Sequence, residues 1–594
     1  MKVLVLHPSD KPLNGRWVEL AWDQIVDLGS SSTFTRQFWE KHCGCPVVSI
    51  SRPGTIDLRQ IRRWAASAHG LMMDDWGLDW WELLIPVYAT ALEELRVLRR
   101  VAWKLRSNNV EVFITRPGWI RSVLQALLGR PVNVADSGIA GIKTRFRTLA
   151  AFADRLELSA VQQQLYDRFD PGFVLRGALT RTAEPNSRPF ILLPSAYSNV
   201  SRAASTYARM LPGHDFLLVT TRANARIPDL PRNVRLANLA EYAQRSSTSD
   251  ESRHLLDKWT QIEQRLSVVP EFRLCLNSGI FSSVPWWIRT GLSIRNAWLN
   301  LFARESVQAV LCGDDSNPFT RIPSLLSSHK ETPTVCFHHG ALDFRAAVKT
   351  YHDEVYLAKS RMEHDYLVNR CGLSSDIVQV GAPEIRRVPP ASAELAHDLI
   401  LFFSEPFEAM GARAEESYAD VLPKLVELAG KYDKTVVVKL HPFESMRQRR
   451  RIIAQVLSSA ERSQVKIIAH TLNQALLHNA WFGLTFSSSV VLECAREQVP
   501  CFIASWMDLS GYYYAEQYLR FGAGLPLNSP ADIWSIPKHI ERYSSFGKRN
   551  ADIWQPLTAA RLARLLGDRH KCAAIPVRPE DRTNCAIPCA VGQD

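Results

Sequence analysis

No apolar run in the 594-residue sequence reaches the roughly 20 residues that a membrane-spanning helix needs. The first residues, MKVLVLHPSDKP, carry a short apolar core followed by charge, too little for a signal peptide and suited to a first strand, so a cytoplasmic location is expected. A glycine-rich turn is missing where a dinucleotide would need it: Leu399–Phe403 reads as the opening strand of a domain, but Ser404-Glu405-Pro406-Phe407 follows it, which argues against NAD. A disulfide framework is missing too. Eleven cysteines stand singly in apolar surroundings such as 310–312 and 335–337, as reduced core thiols do. His570, Cys572, Cys585 and Cys589 match no zinc spacing and sit in a Pro- and Ala-rich segment, so no metal site is read there. There is no nucleic-acid-binding motif.

What is present is an ordinary globular composition, 46% hydrophobic and 22% charged, in a chain too long for one core. The formal charge of +11 implies an anionic partner. Two basic clusters, Arg96/Arg99/Arg100/Lys104/Arg106 and Arg447/Arg449/Arg450/Arg451, lie in helix-like segments; they read as solvated helix faces or as a docking face for an anionic inner leaflet. Four segments emerge: residues 1–182, a Rossmann-like unit with a helical insertion that adds to the first lobe; 188–386, the remainder of that lobe; 397–568, a second lobe; and 570–594, a disordered tail. Strands are read at Val3–Leu6, Gln24–Leu28, Pro46–Ile50 and Val110–Ile114, with a helix over Trp80–Arg106 broken at Pro86. The acidic cluster Asp74-Asp75-Trp76-Gly77-Leu78-Asp79 before that helix reads as a capping loop. A polar joint at 183–189 and a linker at Val388-Pro389-Pro390-Ala391-Ser392 separate the units.

The most informative stretch is Thr435 to Trp506. A β-branched run, Thr435–Leu440, ends at His441-Pro442, where proline removes a backbone donor and stops a strand at the edge on which open α/β sheets bind ligands. Phe486 ends the next strand. Ser487-Ser488-Ser489 then opens a helix, and three hydroxyls with free N–H groups at such a terminus suit a phosphate. Glu493 lies about one turn further on, where a carboxylate can accept from two ribose hydroxyls.

A second stretch runs from Val307 to Glu384. The strand Val307–Cys312 leads into Gly313-Asp314-Asp315, a helix carrying Arg321 follows, and Thr334–Phe337 ends in His338-His339-Gly340-Ala341-Leu342-Asp343. Glycine permits the turn that presents the histidines at the sheet edge. Attack of a hydroxyl on a phosphate-activated group needs a base for the hydroxyl and groups that offset the charge of the departing phosphate. Asp343 or Asp315 suits the base, with His338 or His339 holding nucleotide or acceptor; alternatively a histidine is itself the base.

The pattern KLHPFE, TFSSSVVLE, VPCFI, together with FHHGALD, YLAKS and VQVGAPE, resembles bacterial GT-B glycosyltransferases of surface carbohydrate: the capsule Kdo transferases, the capsule polysialyltransferases and the CDP-glycerol glycerophosphotransferases. The resemblance covers the last third well, the middle third moderately and the first third poorly. It implies two Rossmann-like lobes, metal-independent transfer from a nucleotide-sugar, CMP-linked by preference, to a glycan or lipid-linked glycan, and no cofactor or nucleic acid. It implies donor-binding roles for His441, Ser487, Ser488 and Glu493; Pro442, Glu444 and Ser489 are read beside them on the donor side, a catalytic group is read among His338, His339, Asp343 and Asp315, and Arg321, Gly340 and Ser404 are read elsewhere in the cleft. A glycerophosphotransferase, a sugar-nucleotide epimerase on the same fold and a non-catalytic membrane-surface scaffold are the alternatives.

Overall fold

The computed structural model describes residues 1–567 apart from 8–9, 11–19, 29–36, 38–39, 42, 51–57, 108, 116–117, 136–187, 223–224, 244–247, 283, 314–316, 330, 341, 343, 350–353, 385–396, 411, 471, 508–513 and 544–551. The linker read at 388–392 and the tail 570–594 lie outside these residues.

Short β-branched and aromatic runs, most of them fully buried, build three all-parallel sheets. The first holds β1 (Lys2–Leu6), β2 (Gln24–Asp27), β3 (Val47–Ser49), β4 (Glu111–Ile114) and β5 (Asn133–Val134) in the order β3-β2-β1-β4-β5. The second holds β6 (Phe190–Ser195), β7 (Phe216–Thr220), β8 (Val234–Asn238), β9 (Val307–Cys312), β10 (Thr334–Phe337), β11 (Val355–Ala358) and β12 (Val378–Val380), ordered β12-β11-β10-β9-β6-β7-β8. The third holds β13 (Leu399–Phe403), β14 (Thr435–Lys439), β15 (Val465–Ile468), β16 (Ala480–Thr485), β17 (Cys501–Ala504) and β18 (Leu525–Leu527), ordered β15-β14-β13-β16-β17-β18. In each sheet the chain starts centrally, winds to one side, then returns and winds to the other. That is doubly wound topology, with a switch point beside the first strand. The second and third sheets are two Rossmann-like lobes, a GT-B type arrangement. The last helix, Ala559–Gly567, packs its buried leucines back onto the second sheet.

Residues 2–134 close a parallel sheet of their own. One feature differs from the sequence reading. The helix Trp80–Lys104 runs through Pro86 without a break. Proline forfeits one backbone bond there, while Trp80, Trp81, Leu83, Leu84, Ile85 and Tyr88, all at most 1% exposed, bury the flanking turns. Asp79 caps this helix by accepting from Trp81 N, and Asp74 accepts from the Trp76 and Leu78 amides and from Trp80 Nε1, as a capping loop does.

The N-terminal sheet is fastened to both lobes. On the middle lobe, Arg321 pairs with Glu82 at 2.6 Å, Arg295 pairs with Asp74 at 2.6 Å, and the Trp80 ring packs edge-on against Trp287. On the C-terminal lobe, Arg413 enters the carboxyl edge of the N-terminal sheet, bonding to Asp27 (2.9 and 3.2 Å), Asp10 O and His7 O while also holding Glu416. Among the described residues no helix is long and apolar enough to cross a membrane.

Candidate functional site in the interlobe cleft

The carboxyl edges of the second and third sheets supply the cleft. After β14, the His441-Pro442 turn is organised by Glu444, whose carboxylate accepts from His441 N (2.6 Å), Ser404 Oγ (2.7 Å) and Arg449 Nε (2.6 Å). Burial raises the Glu444 pKa despite Arg449. Ser404 also bonds to Tyr418, so Ser404 and Glu444 shape the turn from inside rather than lining the cleft. The Phe443 amide donates to His441 Nδ1 (3.2 Å), which leaves the proton of the neutral ring on Nε2. Burial, then Lys439 and His339, push the His441 pKa down to about 4. His441 therefore offers a ligand an N–H donor at neutral pH. The interaction with His339 places it opposite the middle lobe.

The serine run behaves differently from the phosphate cradle read in sequence. Glu405, 3% exposed, fills that cradle from the neighbouring strand end. Its carboxylate accepts from Thr485 Oγ1 (2.7 Å), the amides of Phe486 (2.9 Å), Ser487 (2.7 Å) and Ser488 (3.2 Å), and Ser487 Oγ (2.7 Å). These loops follow β13 and β16, the switch point of the sheet, so the crevice where a doubly wound sheet binds its ligand is occupied by the chain's own carboxylate. Ser489 is the N-cap of the short helix Val490–Arg496 and makes no side-chain cap bond.

On the middle lobe, the His338 and His339 rings stack at 5.0 Å. His338 Nδ1 accepts from Gly340 N (3.2 Å). His339 Nδ1 lies 3.1 Å from the Gly313 carbonyl, which can only accept; the ring's proton sits on Nδ1 and its lone pair on Nε2. Asp315 and Asp343 lie outside the described residues. Arg321, read in sequence as a cleft residue, is instead 2% exposed and turned to Glu82 of the N-terminal unit, because its helix packs against Trp80–Lys104.

Three residues missed by the sequence reading complete the cleft. Lys359 and Lys439 directly follow or end β11 and β14, each 9% exposed, and both act electrostatically on Glu493. Burial raises the Glu493 pKa and lowers that of Lys439. Arg202 from the helix Ser198–Arg209 acts on Lys439. At the mouth, Tyr197 of the middle lobe meets Phe443 of the C-terminal lobe edge-on at 5.2 Å, and Arg222 lies over Tyr197. The signal was in the sequence: YLAK and VVVK both end a buried run with lysine, and a charge at that position has only the sheet edge to reach water.

No protein-family model and no curated protein matches the chain. Among solved structures it is similar to CalG4, the calicheamicin glycosyltransferase (TM-score 0.40, 13% identity, 64% of this chain and 98% of that one). It is also similar to the spinosyn rhamnosyltransferase SpnG complexed with thymidine diphosphate (0.39, 13%, 64% and 100%) and to a UDP-GlcNAc 2-epimerase from Neisseria meningitidis bound to UDP-GlcNAc (0.38, 13%, 64% and 99%).

Proposed function

We propose that the chain is a glycosyltransferase of surface-polysaccharide synthesis that moves a sugar from a nucleotide-activated, CMP-linked donor to a glycan or lipid-linked glycan acceptor. The observation that supports this reading is that the two sheet edges face each other: Phe443, beside His441, meets Tyr197 of the middle lobe at 5.2 Å, and Tyr514 of the C-terminal lobe donates at 3.0 Å to Glu363, the partner of Lys359. In this reading the donor lies against the C-terminal lobe, with His441 Nε2–H donating to its phosphate. The acceptor lies against the middle lobe, where the tautomer of His339 suits it to take the hydroxyl proton. Buried lysines and histidine N–H groups offset the leaving phosphate, so the step as proposed needs no metal or cofactor. The basic helix faces would hold the enzyme at an anionic inner leaflet beside a lipid-linked acceptor.

A thermal-shift panel of CMP, CDP, UMP, UDP and dTDP tests the reading. Stabilisation by CMP or CDP, abolished in His441→Ala, is the expected result. A response to UDP or dTDP alone would replace the donor, and no response to any nucleotide would favour the scaffold alternative.

A further inference from the structure

A groove that shares no residue with the interlobe cleft runs between the helices Ser249–Leu266 and Val284–Arg304 of the middle lobe. Its volume is about 540 Å³, within the roughly 300–1,000 Å³ of small-molecule sites. Thr248, Ser249, Ser252, Arg253 and Leu256 form one wall and Arg289 the other. Positions 249, 252, 253 and 256 recur at three- and four-residue spacing, which puts them on one helix face. Arg295 ties the two helices together beside the groove, with Nη2 2.7 Å from Glu251 Oε2 and Nη1 2.6 Å from Asp74 Oδ2.

The groove contains polar groups that the fold leaves unused. Ser252 is 6% exposed, yet its hydroxyl makes no hydrogen bond among the described residues. A hydroxyl so enclosed needs a partner, and here the partner can enter only from the groove. Thr248 is the N-cap of its helix and makes no side-chain cap bond. Across the groove the exposed Arg289 makes neither a hydrogen bond nor an ion pair among the described residues. The acids of the helix's first turn are already engaged: Asp250 pairs with Arg253 at 3.1 Å and Glu251 with the buried Arg295. No carboxylate among the described residues lines the groove. What remains is the single charge of Arg289 facing a row of hydroxyls, with Leu256 at the far end.

That combination fits a sugar residue bearing a carboxylate. A guanidinium binds a carboxylate through paired N–H donors, and serine and threonine hydroxyls exchange hydrogen bonds with those of a sugar. The placement fits too. The helix carrying Arg289 ends at Arg304, just ahead of β9 at Val307, and so at the amino edge of the middle sheet. Arg289 lies fifteen residues back along it, about 22 Å, against about 20 Å for the length of β9, so the groove opens at the level of the carboxyl edge.

We propose that this groove is a glycan-binding subsite for a carboxylate-bearing sugar residue of the acceptor, with Arg289 on the carboxylate and Ser252 and Thr248 on the sugar hydroxyls. Its role as an acceptor site rests on the transferase reading; the binding itself does not.

Isothermal titration of the full chain, without nucleotide, tests it with tetragalacturonate, the uncharged maltotetraose and inorganic phosphate as probes. Wild type is expected to bind tetragalacturonate at least tenfold more tightly than either of the others. Arg289→Met is expected to weaken tetragalacturonate roughly fivefold to tenfold, the loss of one charge-assisted contact. Ser252→Val, which replaces the unbonded hydroxyl by methyl groups, is expected to weaken it by a similar factor. Arg106→Met, at an exposed position on the N-terminal unit, is expected to change it less than twofold. Unliganded melting curves confirm that each variant is folded. Tetragalacturonate failing to bind wild type, binding no more tightly than maltotetraose or phosphate, or binding Arg289→Met and Ser252→Val as tightly as wild type would each overturn the subsite and leave the nucleotide-donor reading standing. Tetragalacturonate binding as expected in a chain that responds to no nucleotide in the thermal-shift panel would keep the groove and overturn its role as an acceptor site.

Discussion

Replacing Glu405 gives the sharpest test of the filled switch point. Among the described residues five hydrogen bonds are divided unevenly between its oxygens: Oε1 accepts from Thr485 Oγ1 and the amides of Phe486, Ser487 and Ser488, whereas Oε2 accepts from Ser487 Oγ. Glu405→Gln keeps an oxygen for the four donors and sets an amide against a hydroxyl that can rotate to accept, so its cost should be about 1–2 kcal/mol. Glu405→Ala strands all five donors in a site that is 3% exposed in wild type. Each orphaned donor costs about 1–3 kcal/mol, and entering water would recover part, so about 3–5 kcal/mol is expected. For a cooperative unit the size of one lobe that is a fall in melting temperature on the order of 10 °C. Scanning calorimetry in buffers with and without phosphate reads both effects. Phosphate should restore stability to the alanine variant, whose amides are exposed to an anion, and do little for wild type. Equal stability of the two variants, or the absence of selective rescue by phosphate, would refute the argument.

Other perturbations probe the supports of the cleft. His441 is held at about 4 against 6.5 for the free side chain, so the unfolded chain binds a proton that the folded one refuses. Its contribution is fully present above pH 6.5 and is lost as the pH falls toward 4. Urea unfolding should show His441→Gln losing about 3 kcal/mol less than wild type across that window. Arg413→Met leaves Asp27 (0% exposed) and Glu416 (0% exposed) buried without their cation and should cost about 3–5 kcal/mol in denaturant unfolding, with the N-terminal sheet exchanging amide protons faster. A Cβ at Gly291 would meet Trp80 Cζ3 at 2.6 Å, so Gly291→Ala should destabilise by about 1–3 kcal/mol and loosen the junction between the N-terminal unit and the middle lobe in hydrogen exchange.

The strands were readable because a buried parallel strand needs an unbroken apolar run, and TVVV, FILL and AVLC are such runs. The His-Pro stop and the His-His-Gly turn were readable as strand ends because backbone chemistry marks them locally. What stayed hidden was nonlocal. Glu405 meets Ser487 across 82 residues, Arg321 meets Glu82 across 239, and Arg413 meets Asp27 across 386. Periodicity and turn chemistry identify donors at a sheet edge but not the carboxylate that closes on them, so Ser487 read as an open cradle. Pro86 misled for a related reason: local propensity favours a break, and tertiary burial of the surrounding tryptophans outweighs it.

The central claim is that a nucleotide lies between the lobes, with its phosphate at the His441 turn. A crystal structure of the wild-type chain grown with CMP measures this directly. The account predicts phosphate density within hydrogen-bonding reach of His441 Nε2, with ribose hydroxyls on Glu493. CMP bound outside the cleft, or in it with its phosphate against the serine run and Glu405 displaced, would contradict the account.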